Sequence, residues 1–130
     1  MYVDSSNGET GDISYLSFTT FISGNTSSLR FSFHMLGDDV GTLDVLSQNT
    51  DTSAYTVSNL WTRTGHQDIV WNKDCIQLLP NTRQNIFFQA TKGSGFNGDI
   101  AIDNIYVVEH ECTGTISLFK MALCIAATLY

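Results

Sequence analysis

Positive charge is scarce in this chain. Only six of its 130 residues are lysine or arginine, against thirteen aspartate and glutamate residues, so the formal net charge is −7. The basic residues are scattered along the sequence, at Arg30, Arg63, Lys73, Arg83, Lys92 and Lys120. Nucleic acids and anionic membrane surfaces require clustered positive charge, so neither is expected as a direct partner.

Metal-binding and catalytic motifs are also missing. The three cysteines, Cys75, Cys112 and Cys124, show neither C-x-x-C spacing nor a partnering histidine pair, which argues against a zinc site. The sequence contains no G-x-S-x-G, HExxH or Walker loop. A glycoside hydrolase would need two carboxylates about 5 to 10 Å apart in an open cleft, which the sequence does not specify. No enzymatic activity is predicted.

Export signals and helix-forming residues are few. Residues 1–6 have neither the basic nor the apolar region of a signal peptide, and Tyr2 and Val3 are typical of the end of a strand entered in mid-course. Serine and threonine together number 28, whereas alanine numbers six. This composition favours strands and turns over helices.

A hydrophobic pattern with a period of two recurs along the chain. It is clearest in residues 29–36, where every second residue from Leu29 to Met35 is apolar. A turn at 37–41 and renewed alternation over 43–48 predict an antiparallel hairpin. Further strands are predicted over residues 55–61, 68–72, 75–79, 85–91 and 98–105. Short strands at this spacing are typical of a single all-β sandwich domain.

The strand at residues 98–105 carries a carboxylate although both of its faces look apolar. Under strict alternation, one face would hold Ala101, Asp103, Ile105 and Val107, and the other Ile100, Ile102, Asn104 and Tyr106. A buried carboxylate must be paired, hydrogen-bonded or bound to a cation. Asp103 is therefore predicted to be either a structural hydrogen-bonding group or part of an ion site.

Residues 113–130 differ in composition from the rest of the chain. After Lys120 only Thr128 interrupts the apolar run. The run ends well short of the roughly 20 apolar residues that cross a bilayer, and it lacks the polar spacer of a lipid-anchor signal. Three interpretations stay open: an artefactual or truncated tail, the start of a membrane segment cut short, and a docked C-terminal helix. The predicted boundaries are 1–112 for the sandwich domain and 113–130 for the apolar tail.

Several segments occur in the order and spacing of a known extracellular module. They are YVDSS at residues 2–6, LRFSFHMLG at 29–37, GTLDV at 41–45, LW at 60–61, GHQ at 65–67, Trp71, GSGFNGDIAIDNI at 93–105, and Cys112. Together they resemble the MAM domain, which is shared by meprins, neuropilins and receptor-type tyrosine phosphatases.

The resemblance implies a jelly-roll sandwich of two antiparallel sheets, here without its first strand region. It also implies a non-catalytic module that serves adhesion, protein contact or homodimerisation at the cell surface. The chain is then expected to be a piece of a larger extracellular protein. It would meet a membrane only through that parent protein or through a truncated C-terminal anchor.

The resemblance bears on the cysteines and on Asp103 as well. Cys112 matches the family's last cysteine, but Ser28 replaces the cysteine that the family usually has before residue 29. A disulfide at Cys112 is thus expected without an assigned partner; Cys75 is either that partner or a buried apolar residue. Some family members hold a cation near the 98–105 strand, which makes Asp103 a candidate ligand for a calcium or sodium ion. Calcium would need six to eight oxygen ligands.

Two further features concern glycans. Asn25 begins the only N-glycosylation acceptor, Asn25-Thr26-Ser27. A carbohydrate-binding jelly roll is the alternative function, because that architecture also hosts lectins. Trp61 and Trp71 are the candidate sugar-stacking residues, but both lie beside apolar neighbours in strand patterns, and core packing is the favoured role for each.

Overall fold

The computed structural model describes residues 1–112 and the backbone of residues 128–129. No helix occurs within these residues, and hence none that could span a membrane. The strands are β1 (Tyr2–Val3), β2 (Ile13–Ile22), β3 (Ser27–Leu36), β4 (Thr42–Asn49), β5 (Val57–Thr64), β6 (Asn72–Leu78), β7 (Thr82–Thr91), β8 (Asp99–Val108) and β9 (Thr128–Leu129).

The strands form two antiparallel sheets that pack face to face. One sheet has the order β1-β8-β3-β6, and the other has the order β5-β4-β7-β2-β9. Strands that are neighbours in a sheet are mostly distant in sequence, as in the pairing of β3 with β8. The predicted all-β jelly-roll sandwich of two antiparallel sheets is confirmed.

The core lies between the sheets and follows from the alternation of apolar residues. On β3, Leu29, Phe31, Phe33 and Met35 are buried, as the pattern predicts. The rings of Phe31 and Phe88 meet edge to face across the sandwich, with centroids 5.1 Å apart. Burial of a side chain of this size contributes about 1.5 to 3 kcal/mol to folding.

The predicted hairpin of residues 29–36 with residues 43–48 is wrong. Strand β3 lies in the four-stranded sheet and β4 in the five-stranded sheet, so the connection at residues 37–41 crosses from one layer to the other. Alternation requires one buried face on each strand, but it does not specify which sheet holds the strand. The connection is fixed by the loop at residues 92–98, where the Asp39 amide donates to the Asn97 carbonyl oxygen over 2.8 Å. A Cβ at Gly41 would collide with the Thr91 carbonyl oxygen, so the loops pack backbone against backbone.

The observed strands differ from the predicted ones at two other places. Residues 13–22 form a ten-residue strand, β2, where no strand was predicted. The predicted strand at 68–72 is wrong, because residues 65–71 form a loop and β6 begins at Asn72.

The tail is described only at Thr128–Leu129, whose backbone pairs with Leu16 and Ser17 on β2. The three interpretations of the tail at residues 113–130 stay predictions, because its other residues, Cys124 among them, lie outside the described residues.

Candidate functional site

Strand β8 contains a bulge that reorients the strand around Asp103. Ser32 on β3 pairs with Asp103, and Arg30 pairs with Tyr106, so the single residue between them on β3 faces two residues on β8. One of these, Asn104, has a φ of 52°, a left-handed conformation that asparagine tolerates better than most residues. An extra residue in one strand shifts the alternation by one position.

The predicted apolar environment of Asp103 is therefore wrong. Ile102 before the bulge and Ile105 after it both pack against the core, whereas Asp103 lies on the outer face and is exposed. Its Oδ1 accepts a hydrogen bond of 2.7 Å from the Asn104 backbone N–H. Within residues 1–112 no group of three or more His, Cys, Asp or Glu side chains is placed to hold a metal ion. The role of Asp103 as a cation ligand stays a prediction.

Cys112 is joined to Cys75 in a disulfide, with Cα atoms 5.5 Å apart. Cys75 lies on β6, opposite Arg30 on β3. The chain leaves β8 at Val108 and reaches β6 at Cys112, so residues 109–112 must cross the outer face of β3, which lies between those two strands. Arg30 supports this crossing, because its Nη2 donates to the Glu111 carbonyl oxygen over 3.0 Å.

Ser28 lies near this crossing. It is fully buried although it belongs to the outer face of β3, and its Oγ has no hydrogen-bond partner among the described residues. Ser28 stands on β3 between Gln77 of β6 and Val108 of β8. Cys112 is thus attached to β6, the strand next to the one that contains Ser28.

Asn25 lies exposed in the connection between β2 and β3. Its Nδ2 donates to Glu109 Oε2 over 3.4 Å, and Ser23 Oγ donates to the other carboxylate oxygen of Glu109 over 3.1 Å. Ser27, the third residue of the acceptor sequence, is buried at the start of β3. Glycosylation of Asn25 stays a prediction.

Trp61 packs against the core and also bridges the sheets. Its ring meets Phe31 and Phe33 edge to face, with centroids 5.1 and 5.0 Å apart. Its Nε1 donates to Asp74 Oδ2 over 2.7 Å, and Arg63 forms an ion pair with the same oxygen at 3.0 Å. Arg63 also lies over the Trp61 ring, 4.7 Å from its centroid. Trp61 is therefore a structural residue.

Trp71 has a different environment from the predicted one. The core packing expected for it is wrong, because half of its surface is exposed. Asn72 pairs with Phe33, so the preceding residue comes to lie beside His34 on the outer face, with ring centroids 5.7 Å apart. The sequence carries a weak sign of this: residues 69–71 are three consecutive apolar residues that do not alternate.

An aromatic and apolar row crosses the outer face of the four-stranded sheet. Tyr2 on β1 pairs with Ala101 on β8, which pairs with His34 on β3, and Trp71, the residue before β6, lies beside His34. At about 4.8 Å between strands, the row is about 14 Å long. Exposed neighbours extend it. We call the following residues the outer apolar surface: Tyr2, His34, Leu36, Ile69, Val70 and Trp71.

A row of charged residues lies beside the outer apolar surface, two residues farther along the strands. Asp103 on β8 and Lys73 on β6 both pair with Ser32 of the central strand β3, from opposite sides. Both charged side chains are exposed. Neither belongs to an ion pair within residues 1–112, where the ion pair found joins Arg63 to Asp74.

Tyr2 has an acidic neighbour at the rim of the outer apolar surface. The pKa of the Tyr2 hydroxyl is raised, chiefly by a hydrogen-bonding interaction with the Asp99 carboxylate and further by the negative charge of that group.

Two carboxylates, Asp4 and Asp12, line a cleft between β1 and β2. Asp4 accepts from the Ser6 N–H over 2.7 Å, and Asp12 accepts from the Glu9 N–H over 2.8 Å. The hydrogen bonds from Ser6 lower the pKa of Asp4, whereas a general acid needs a raised pKa. Both carboxylates hold turns of the chain.

Comparison with known proteins finds a family whose model matches most of the chain. The model of the family described as "MAM domain, meprin/A5/mu" matches residues 1–113. MAM domain-containing glycosylphosphatidylinositol anchor protein 2 of Homo sapiens is 34% identical over 83 residues, which are 63% of this chain and 8% of that protein. MAM domain-containing protein 2 of Mus musculus is 34% identical over 86 residues, which are 66% of this chain and 12% of that protein. The chain thus matches only a small part of these relatives.

Solved structures with a similar fold include a mutant of a family 29 carbohydrate binding module. Its TM-score is 0.57 at 18% sequence identity, over 87% of this chain and 75% of that chain. At this level of identity the likeness establishes the β-sandwich fold and nothing about ligands.

Proposed function

Because the chain belongs to the MAM domain family, meprin/A5/mu, we propose that it is a non-catalytic, extracellular interaction module of a cell-surface protein. Relatives that carry the same domain are named as glycosylphosphatidylinositol anchor proteins, which supports a location outside the cell. The partner is a protein, and in the form argued below it is a second copy of this chain.

The observation that carries the proposal is the outer apolar surface. Monomeric soluble proteins rarely expose contiguous apolar patches unless these bind something. Here Tyr2 is 62% exposed and Trp71 50% on the outer face of the four-stranded sheet, and Ile69, in the loop before β6, is 75% exposed, with its carbonyl oxygen 3.4 Å from His34 Nε2. Tryptophan and tyrosine are the side chains that most often dominate the binding energy of protein interfaces.

The charged row favours a second copy as the partner. A two-fold axis that runs parallel to β3, above Ser32, would exchange the positions of β8 and β6 between two facing sheets. Asp103 of each copy would then face Lys73 of the other copy, so the contact would contain two ion pairs. Trp71 of each copy would face Ala101 of the other. The surface is therefore complementary to itself in charge.

Sedimentation equilibrium of the full chain tests this function over a range of concentrations. We expect a reversible dimer, with a dissociation constant at least about tenfold higher for Trp71→Ala, as for an aromatic anchor residue. The control is Tyr55→Ala, because Tyr55 is 92% exposed in a loop away from this sheet. A chain that stays monomeric at all concentrations, or a dimer that Tyr55→Ala weakens as much as Trp71→Ala, would contradict the proposal.

A further inference from the structure

The central part of the outer face of the five-stranded sheet is poor in charge, and the exposed Arg83, opposite Phe21 on β2, lies beyond it. Three adjacent rows across β2, β7, β4 and β5 define it: Tyr15, Gln89, Asp44 and Thr62; Ser17, Phe87, Leu46 and Asn59; Thr19, Asn85, Gln48 and Val57. Of these twelve positions only Asp44 is charged. A sheet face that only contacts water commonly carries lysine and glutamate, which keep it soluble and unpaired.

Primary amides take the place of charges on this face. Asn85 Oδ1 accepts from Thr19 Oγ1 over 2.6 Å, and its Nδ2 donates to Gln48 Oε1 over 3.4 Å. Gln89, half-buried between Tyr15 and Asp44, makes no side-chain hydrogen bond to any residue of 1–112. Each amide offers both a donor and an acceptor. Such groups match neighbouring hydroxyls, which also donate and accept.

Apolar side chains form the floor between the amide rows. Leu46 and Phe87 pair directly across β4 and β7, and both are half-buried. Tyr15, which is 38% exposed, stands diagonally to Phe87 on β2. A pyranose ring has apolar C–H groups on its faces and hydroxyls at its edge, so it can lie on this floor while its hydroxyls meet the amides.

From this arrangement we infer that the outer face of the five-stranded sheet binds a neutral, linear oligosaccharide, with Tyr15, Phe87 and Gln89 as its central contacts. The site is on the opposite side of the sandwich from the outer apolar surface, so it is independent of the proposed self-association.

Native affinity electrophoresis of the full chain tests this inference in gels that contain mixed-linkage β-glucan, galactomannan, xylan or heparin. We expect retardation by at least one of the three neutral polysaccharides. Tyr15→Ala and Gln89→Ala should each weaken it about tenfold, the effect of one lost contact of about 1.4 kcal/mol. Phe96→Ala, which is 75% exposed in the loop between β7 and β8 and belongs to neither surface, is the control and should leave the retardation unchanged. Circular dichroism melting confirms that each variant is folded.

The inference is overturned if none of the neutral polysaccharides retards the chain, or if heparin alone does. It is also overturned if the retardation survives both Tyr15→Ala and Gln89→Ala, or if Phe96→Ala abolishes it. The dimer measured by sedimentation is unaffected by these outcomes, so failure of the sugar site and failure of the self-association can be told apart.

Discussion

Trp61 Nε1 donates a hydrogen bond of 2.7 Å to Asp74 Oδ2, and this bond joins the edge strands of the two sheets. Trp61 lies on β5, at the end of the five-stranded sheet, and Asp74 lies on β6, at the end of the four-stranded sheet. Arg63 completes the contact from β5. The bridge closes this edge of the sandwich next to the strand that carries Lys73.

The Trp61–Asp74 bond should contribute measurably to stability. We expect Asp74→Ala to lower the free energy of unfolding by about 1.5 to 3 kcal/mol, because a hydrogen bond to a charged group and a partly screened ion pair are both lost. Urea denaturation measures this value. A double-mutant cycle with Trp61→Phe should give a coupling energy of about 1 kcal/mol or more. The matched control is Asp38→Ala, an exposed carboxylate in a turn, which should change stability by less than about 0.5 kcal/mol. Equal losses for Asp38→Ala and Asp74→Ala would contradict the structural role.

The Cys75–Cys112 disulfide should stabilise the sandwich by restricting the unfolded chain. Closing a loop of this length is worth about 3 to 4 kcal/mol. We expect Cys75→Ala, or a reductant, to lower the urea midpoint accordingly. Peptide mapping under non-reducing conditions should find a fragment that links Cys75 to Cys112.

A rescue variant tests whether Cys75 replaces the cysteine that the family has at the position of Ser28. In the Cys75→Ala background, Ser28→Cys should restore a disulfide with Cys112 and most of the lost stability. The same substitution of Ser32, farther along the outer face of β3, is the control and should restore neither. If peptide mapping of the unsubstituted chain finds no fragment that links Cys75 to Cys112, the assignment of this disulfide is wrong.

Asn25 should carry a single N-linked glycan when the chain is produced in a eukaryotic secretory pathway. The residue is exposed in a turn, as an acceptor asparagine must be. Treatment with an N-glycosidase should increase electrophoretic mobility, and Asn25→Gln should abolish that change. Asn7→Gln, outside any acceptor sequence, is the control. Identical mobility of the untreated chain and Asn25→Gln would rule out the modification.

The cation hypothesis for Asp103 makes a thermal prediction. If Asp103 ligates calcium, millimolar calcium raises the melting temperature of the chain, and Asp103→Asn removes that rise. Calorimetry of dilute protein, with and without a chelator, measures both effects. Asp99→Asn, on the same face of β8, is the control. Equal calcium-dependent stabilisation of the original chain and Asp103→Asn, or none in either, would exclude Asp103 as a ligand.

The sequence predicts the layers of this fold better than its connections. Alternation over residues 29–36 identifies β3 and its buried face, because a two-residue period is the direct consequence of one face packing on the core. Strand β2 carries the same signal at Leu16, Phe18 and Ile22, but the buried polar Thr20 and the exposed apolar Phe21 break the alternation. Which sheet holds each strand depends on long-range pairing, and this is why the predicted hairpin of β3 with β4 fails.

The candidate sites depend on details that strand patterns do not contain. The bulge at Asn104 moves Ile105 and Val107 to the inner face, opposite Asp103, with which strict alternation would group them. Trp71 is exposed because Asn72 pairs with Phe33, a register that places Trp71 beside His34 on the outer face. Cys75 pairs with Cys112 because residues 109–112 cross β3, a path set by the order of strands in the sheet.

A charge-exchange experiment tests self-association through the outer face of the four-stranded sheet most directly. Asp103→Lys and Lys73→Asp are made separately, and sedimentation velocity is recorded for each variant and for their equimolar mixture. Each variant alone would place like charges opposite one another at both contacts, whereas the mixture would restore two opposite-charge pairs. We predict that both variants are monomeric alone and form a heterodimer when mixed. Dimers of either variant at the strength of the original chain, or a mixture that stays monomeric, would contradict this account.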